Sequence, residues 1–343
     1  MANSAHSLAV AVVGATGAAG GTVLRILEER NFRAGSLLAL ASPRSAGTTV
    51  LFRGEQLTVA AVSDAALEGA DVVFFAAGSE TSLRYAPVVA ANGGLAIDKS
   101  SAYRMDPRVP LIVPEVNGDA IRSGDGILAN PNCVAIPLSV VLWPLHAALG
   151  LRHITVATYQ SASGAGHRLT AELAAQTQAD AADTPPTCSI YPHVLHGNVV
   201  PGGWPMHGAD TEEEVKVIEE TRKVLSLPEL AFSVTTVRVP VAIGHSAAVW
   251  AQFDNAVTAA QARAVLEAAP GVRVIDDPER QMYPTPRDAA GTDHVLVGRI
   301  RADTGVPGGI AFFVSADNLR KGAAANAVQV AELALACRTA AAH

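Results

Sequence analysis

A chain of 343 residues is too long for one ordinary core and suits two domains, and its composition, 49% hydrophobic and 17% charged with 29 glycines, is that of a soluble α/β protein. The formal charge of −7 argues against nucleic acid or an anionic membrane as partner, while leaving room for phosphate-sized ligands in local basic pockets. Three cysteines, Cys133, Cys188 and Cys337, are odd in number and far apart, which suits a reducing cytoplasm and offers no zinc spacing; no metal site is expected. The start MANSAHSLAVAVVGATG has no cationic segment and its apolar run stops at Gly14, so neither a signal peptide nor a membrane span is expected.

In chain order, Leu8 to Val13 is an apolar run of strand length, followed by Gly14, Ala15, Thr16, Gly17, Ala18, Ala19 and Gly20, then by helix-spaced Val23, Leu24, Ile26 and Leu27. Strand, glycine turn and helix suit a dinucleotide fold, because glycines admit a pyrophosphate to the backbone and the helix start faces its charge. The spacing is G-x-x-G-x-x-G, which a plain glycine-rich turn shares. After a second apolar run, Leu37 to Leu40, the chain reads Ala41, Ser42, Pro43, Arg44, Ser45 where NAD binders usually carry a carboxylate. A guanidinium flanked by hydroxyls suits a 2′-phosphate, so NADP is expected over NAD.

Further apolar runs at Asp71 to Ala77, ending at Gly78, and at Leu95 to Asp98 are joined by a helical segment around Leu83 to Ala91, predicting a parallel, doubly wound sheet. The loop Lys99 to Arg104 then lies at a strand's carboxyl end, making Arg104 a candidate anion contact. Ile127 to Ile136, reading ILANPNCVAI, puts Cys133 between a strand and the apolar helix Val134 to Leu149. The N–H groups of a helix's first turn stabilise a thiolate there, so Cys133 is the candidate nucleophile, the alternative being a small buried hydrophobe.

Beyond it a strand is expected at Ile154 to Tyr159, a tight loop at Gln160 to Gly166, a helix at His167 to Gln178 and an irregular stretch at Asn198 to Gly208. Thr211 and Glu214 form a capping box opening a helix at roughly Glu212 to Leu225, on which Glu213 and Lys216 share a face and could pair. Phe232 to Val241 alternates like a strand carrying Arg238, with a turn at Gly244 presenting His245 and a return strand at Ala247 to Phe253. A helix near Thr258 to Ala268, a loop at Tyr283 to Ala290, a strand at Gly309 to Ser315 and an alanine-rich helix from Lys321 to Thr339 complete the chain.

Taken together, GATGAAG at 14 to 20, ASPRSAG at 41 to 47, DKSSAYRMD at 98 to 106, NPNC at 130 to 133, TYQSASGAG at 158 to 166, RVPVAIGHS at 238 to 246 and ADNLRKGAA at 316 to 324 resemble the aspartate-semialdehyde dehydrogenases nearly end to end. The resemblance implies a Rossmann-type doubly wound parallel sheet over residues 1–133, rejoined by a C-terminal helix at 321–343, and an α+β catalytic and dimerisation domain at 134–320. It implies reversible, NADP-dependent interconversion of L-4-aspartyl phosphate and L-aspartate 4-semialdehyde through a cysteine thioester, in a cytoplasmic homodimer serving lysine, threonine and methionine biosynthesis.

By that resemblance Cys133 is the nucleophile, His245 the acid/base and Gln160 the group orienting the reacting atoms, with Asn132 and the Cys133 N–H as oxyanion donors. Arg238 would take the substrate carboxylate, Glu213 its ammonium, Arg104 and Lys216 the phosphate, and Asn318 the nicotinamide end. Gly14, Thr16, Gly17, Ala18, Ala19, Ser42, Arg44, Ser45 and Gly78 would line the NADP site. The stretch Val194 to Trp204 and Ala247 depart from the family pattern, which bears on loop packing and the dimer contact. Alternatives are the sibling N-acetyl-glutamyl-phosphate reductase and a catalytically silent NADP-binding paralogue.

Overall fold

The structure is a computed structural model that describes residues 7–341. The chain forms two compact units, one from residues 1–131 and 323–343 and the other from 132–322. Asn132 and Cys133 therefore belong with the second unit, two residues earlier than the sequence boundary at Cys133.

The first unit opens with β1 (Leu8–Val13), α1 (Ala18–Glu29) and β2 (Ala34–Ala41), continues through a hairpin β3 (Thr49–Phe52) and β4 (Glu55–Thr58), β5 (Ala60–Ala61) and the short α2 (Asp64–Leu67), and then alternates β6 (Val72–Phe75), α3 (Ser79–Ala91), β7 (Leu95–Asp98), α4 (Pro114–Asn117) and β8 (Ile127–Ala129). Its sheet has the order β5-β2-β1-β6-β7-β8 with every pairing parallel. The strands read as nearly unbroken apolar runs because helices cover both faces of such a sheet. Val72, Val73, Phe74, Phe75, Leu95, Ala96 and Ile97 are all fully buried.

The second unit contains α5 (Ala135–Leu149), β9 (Leu151–Tyr159), α6 (His167–Ala181), the small hairpin β10 (Met206–His207) and β11 (Asp210–Thr211), α7 (Glu212–Leu225), β12 (Ala231–Thr235), β13 (His245–Phe253), α8 (Ala259–Glu267), β14 (Val272–Val274), α9 (Pro286–Ala289), β15 (Val295–Ala302) and β16 (Ile310–Ala316). Its mixed sheet runs β12-β9-β13-β16-β15-β14. The helix α5 packs on α7, α8 and the sheet, so it is apolar all round. The chain then returns to the first unit as α10 (Ala325–Ala341), whose Ala327, Val328, Val330 and Ala331 are fully buried in that unit's core.

Three expectations change. The strand at Phe232 to Val241 ends at Thr235, because the following residues leave the sheet to bridge Arg238 with Gln160 and Val200, and Pro240 cannot donate to a ladder. Residues 247–253 do not return beside it: β9 lies between β12 and β13. The loop at Tyr283 to Ala290 contains the helical turn α9, capped by Thr285, whose hydroxyl accepts from the Asp288 N–H.

Candidate active site

The glycine turn of the first unit is shaped for a close visitor. Gly14 has φ +88°, and a Cβ there would stand 2.8 Å from the Ala76 carbonyl oxygen; one on Gly20 would stand 2.1 Å from the Gly14 carbonyl oxygen. Both positions exclude side chains, so α1 packs tightly on β1 and its first-turn N–H groups at Ala18 and Ala19 face outward from Gly17. Beside this turn, at the carboxyl ends of β1 and β2, a cavity of about 260 Å³ is lined by Gly14, Ser42, Pro43, Thr81, Arg84 and Tyr85. Arg44 and Ser45 stand on the adjoining helical turn Pro43–Ser45, with Arg44 exposed, and Gly78 caps α3. Those donors, hydroxyls and cations fit a phosphorylated dinucleotide. A larger cleft, of about 870 Å³, opens among Leu8, Arg30, Phe32 and Glu332, but it lies at the amino end of β1, whereas parallel sheets bind ligands at their carboxyl ends.

Arg104 sits on the loop after β7, its Nε donating to the Asn130 carbonyl at 3.0 Å and Nη2 to the Lys99 carbonyl at 2.9 Å, so the guanidinium is fixed to the backbone. Asn130 is in turn held by Asn326 of α10, whose Nδ2 donates to Asn130 Oδ1 at 2.9 Å.

In the second unit the Cys133 turn is built around Asn132. Asn132 Oδ1 accepts from the N–H groups of Val134 (2.7 Å) and Ala135 (3.4 Å), capping the start of α5. Its Nδ2 donates to Glu213 Oε1 at 3.1 Å, and its backbone N–H donates to Glu220 Oε2. Glu213 and Glu220 are both buried and two turns apart on α7, so this helix grips the residue before the thiol at two points. Asn132 was expected to supply an oxyanion donor; one hydrogen of its amide is already given to Glu213. Cys133 is half-buried.

Glu213 Oε1 also accepts from Gln160 Nε2 at 3.1 Å, which draws Gln160 to the same carboxylate. Lys216 does not pair with Glu213. It turns to Glu212 at 2.7 Å, one helical turn away, because Glu213 faces inward.

Arg238 is 2% exposed; its Nη1 donates to the Ser161 carbonyl at 2.7 Å and its guanidinium lies 4.5 Å from the Trp204 ring centre. Burial pushes its pKa down, against the pull of Tyr191, Cys133 and Glu213. His245 is buried, and its Nδ1 lies 3.0 Å from both the N–H and the Oγ of Ser161. Burial, and then the neighbouring Arg238 charge, hold its pKa well below the ordinary imidazole value. Arg238 Nε and His245 Nε2 are both buried without a hydrogen-bond partner among the described residues. The two side chains meet beside Gly164: a Cβ there would be 2.9 Å from His245 Nε2 and 3.1 Å from Arg238 Nη1.

Asn318 lies beside the histidine, its Oδ1 accepting from the Gly244 N–H (2.9 Å) and from the hydroxyls of Ser161 (3.2 Å) and Ser163 (3.1 Å). The structure thus brings Asn132, Gln160, Glu213, Arg238, His245 and Asn318 into connected contacts next to Cys133. The sequence reading missed Ser161, Ser163, Gly164 and Glu220. The serines' only signal was their place in the QSASGAG loop, and Glu220 looked like any helix-surface charge.

A parallel dinucleotide sheet and a second α+β unit with a thiol at a helix start, ringed by buried amides, a carboxylate and two unanswered donors, define a nicotinamide-dependent enzyme of the semialdehyde dehydrogenase kind. The family models described as "Semialdehyde dehydrogenase, NAD binding domain" and "Semialdehyde dehydrogenase, dimerisation domain" match residues 9–124 and 142–321. The chain is 44% identical to the aspartate-semialdehyde dehydrogenase of Synechocystis sp., over 94% of this chain and 96% of that one. It is 45% identical to that of Corynebacterium glutamicum, over 94% and 98%. Among solved structures, aspartate semialdehyde dehydrogenase II from Vibrio cholerae superposes with a TM-score of 0.93 at 40% identity, over 96% of this chain and 99% of that one. The chain belongs to the aspartate-semialdehyde dehydrogenase family.

Proposed function

We propose that the protein catalyses the reversible, phosphate-dependent oxidation of L-aspartate 4-semialdehyde to L-4-aspartyl phosphate with NADP. The Vibrio cholerae relative has a structure complexed with ASA, its aldehyde substrate, which supports the substrate class. The observation that carries the reading is the buried set around the thiol: the Glu213 carboxylate and two unpaired donors, Arg238 Nε and His245 Nε2. A buried donor left unanswered costs about 1–3 kcal/mol, so this site is built to be completed by oxygen atoms. An amino-acid aldehyde supplies them: its carboxylate answers Arg238, its ammonium answers Glu213, and the reacting oxygen falls to His245.

In the oxidative direction the Cys133 thiolate adds to the aldehyde carbon, and the C=O pair moves onto oxygen. Arg44 and the absence of a carboxylate after β2 favour NADP over NAD, and NADP held there would supply the hydride acceptor. Gln160, fixed by Glu213, orients the reacting carbon, and the thioester left on Cys133 is released to phosphate. Arg104, immobilised by two carbonyls, and Lys216 are the phosphate contacts in this proposal. Asn318 anchors the loops flanking His245 as well as taking the nicotinamide role.

The second unit, which the dimerisation model matches, would pair two copies as a homodimer. No helix among the described residues is long and apolar enough to cross a membrane; a cytoplasmic place is part of the proposal.

The test is NADP reduction by aspartate semialdehyde, with and without phosphate, beside Cys133→Ala. Turnover that needs phosphate and vanishes in the variant is the expected result; absence of turnover by folded wild-type protein, with turnover of N-acetylglutamate semialdehyde in its place, overturns the substrate assignment.

A further inference from the structure

We propose that Trp204 is a positioning residue for Arg238: its indole face holds the guanidinium in place while leaving the edge of the fork open to the substrate carboxylate. The role rests on the reading above, which gives Arg238 that carboxylate. It also gives a purpose to the stretch Val194 to Trp204, where the chain departs from the family pattern.

A guanidinium carries all its N–H donors in one plane and has two flat faces that donate nothing. The edge of Arg238 is only partly engaged, since Nη1 donates to the Ser161 carbonyl at 2.7 Å while Nε is buried without a partner among the described residues. Burial works against the charge, so the cation needs support from another direction. An aromatic face supports a desolvated cation without using up a donor, which a hydrogen-bonding side chain could not do. Trp204 provides that face, with Arg238 Cζ 4.5 Å from its ring centre, and the Tyr191 ring stands farther off at 6.0 Å.

The loop is built to deliver the indole there. From α6, the buried Glu172 accepts from the N–H groups of Ile190 (2.8 Å) and Tyr191 (3.2 Å), and the buried Gln176, one turn on, accepts from those of Leu195 (2.9 Å) and His196 (3.0 Å). Val200 then exchanges both backbone hydrogen bonds with Arg238, at 2.9 and 2.8 Å, so the loop is registered on the arginine's own backbone. The Tyr191 hydroxyl donates to the Gly202 carbonyl at 2.6 Å, and Gly203 follows at φ +85°, where a Cβ would run into that same hydroxyl. Only glycine makes this turn, and the next residue is Trp204.

Core packing does not account for the tryptophan. Tyr191, Leu195 and Val200 join a small apolar cluster with Leu169 and Leu173, whereas Trp204 stands outside it, half-exposed and followed by the exposed Pro205 and Met206. Its use lies in the guanidinium. An arginine already held when the substrate arrives spares the complex the cost of ordering a long side chain. The contact is the same before and after the bonds at Cys133 change, so it governs affinity and not the chemical step.

Steady-state kinetics with aspartate semialdehyde tests this. Trp204→Phe keeps an aromatic face and should hold KM within about threefold of wild type, because cation–π attraction weakens but survives on a phenyl ring. Trp204→Leu keeps apolar bulk without the π face and should raise KM at least about tenfold with kcat nearly constant, the scale of a desolvated cation–π contact. Equal KM values for the Phe and Leu variants overturn the proposal and reduce Trp204 to packing. In an Arg238→Gln background, Trp204→Leu should cost nothing further in kcat/KM, since the group it acts through is gone; additive losses would show that the indole works elsewhere. A wild-type KM for Arg238→Gln alone removes the carboxylate from Arg238 and the proposal with it, a failure recognised without any Trp204 variant.

Discussion

Two donors of the site wait unpaired, Arg238 Nε and His245 Nε2, and Gly164 keeps clear the space beside the imidazole and the guanidinium. Its backbone does not need glycine for conformational reasons, since its φ is not positive, so alanine is excluded only by contact: the added methyl would sit 2.9 Å from His245 Cε1 and Nε2. Gly164→Ala should therefore leave the melting temperature nearly unchanged and lower kcat/KM about a hundredfold, the scale of a misplacement near 1 Å. Kinetics beside a thermal melt checks it; equal losses of stability and activity would show a structural role only. His245 also leaves a mark on stability. Its folded pKa lies well below the unfolded value of about 6.5, so below that pH the unfolded chain binds a proton that the folded one does not. Folding stability should fall as pH drops from about 6.5 toward the folded value and be flat above, and His245→Asn should remove that component from urea melts compared at both pH values.

At the scale of elements, α7 is the part that joins fold to chemistry. Its capping box is complete: Thr211 Oγ1 accepts from the Glu214 N–H, and Glu214 Oε2 accepts from the Thr211 N–H. Glu214 also receives the Thr236 N–H, and although burial works against the ionised carboxyl, these hydrogen bonds from Thr211 and Thr236 together hold its pKa below the ordinary value. The stability it lends is present above the unfolded pKa of about 4.5 and is lost as pH falls through the lower folded one. Thr211→Ala should cost about 1 kcal/mol and raise KM as well, because Glu213 stands in the same first turn; a melt that moves without KM would uncouple the cap from the site.

This helix was legible in the sequence, expected at roughly Glu212 to Leu225 and found there, because its cap, charge gradient and period agree. So was the first strand, turn and helix. What stayed hidden was long-range. Nothing local to 231–253 announces that β9 inserts between β12 and β13, and β15 is interrupted by a register shift around Arg299, at φ +56°, that breaks its alternation. In the site, residues with unusual chemistry in recognisable motifs were legible, while Ser161, Gly164 and Glu220 act through geometry that only the folded loops create.

For the whole molecule, the second sheet poses the question of what covers its other face. Burial alternates along β13, with Val249, Ala251 and Phe253 buried and Ala248, Trp250 and Gln252 half-exposed between them. In β9 Ile154, Val156 and Thr158 are buried while Ala157 and Tyr159 are not fully covered, and Tyr159 stacks at 5.9 Å on the half-buried Phe313 of β16. Ala248 pairs with both Ala157 and Phe313, and Trp250 with Thr155, so Tyr159, Ala157, Phe313, Ala248 and Trp250 share one half-exposed face of three adjacent strands with the polar Thr155 and Gln252. Aromatic side chains left half-exposed on an antiparallel sheet face are what a partner would cover. A second copy is the natural one, because a two-fold pairing lets the same face cover itself and the dimerisation model spans these strands. Light scattering should give twice the monomer mass, and Trp250→Asp, which places a charge on that face, should shift the protein toward monomer by at least about a hundredfold in dissociation constant, the cost of burying an unpaired carboxylate. If Trp250→Asp remains dimeric at the same concentration, the pairing surface lies elsewhere on the second unit.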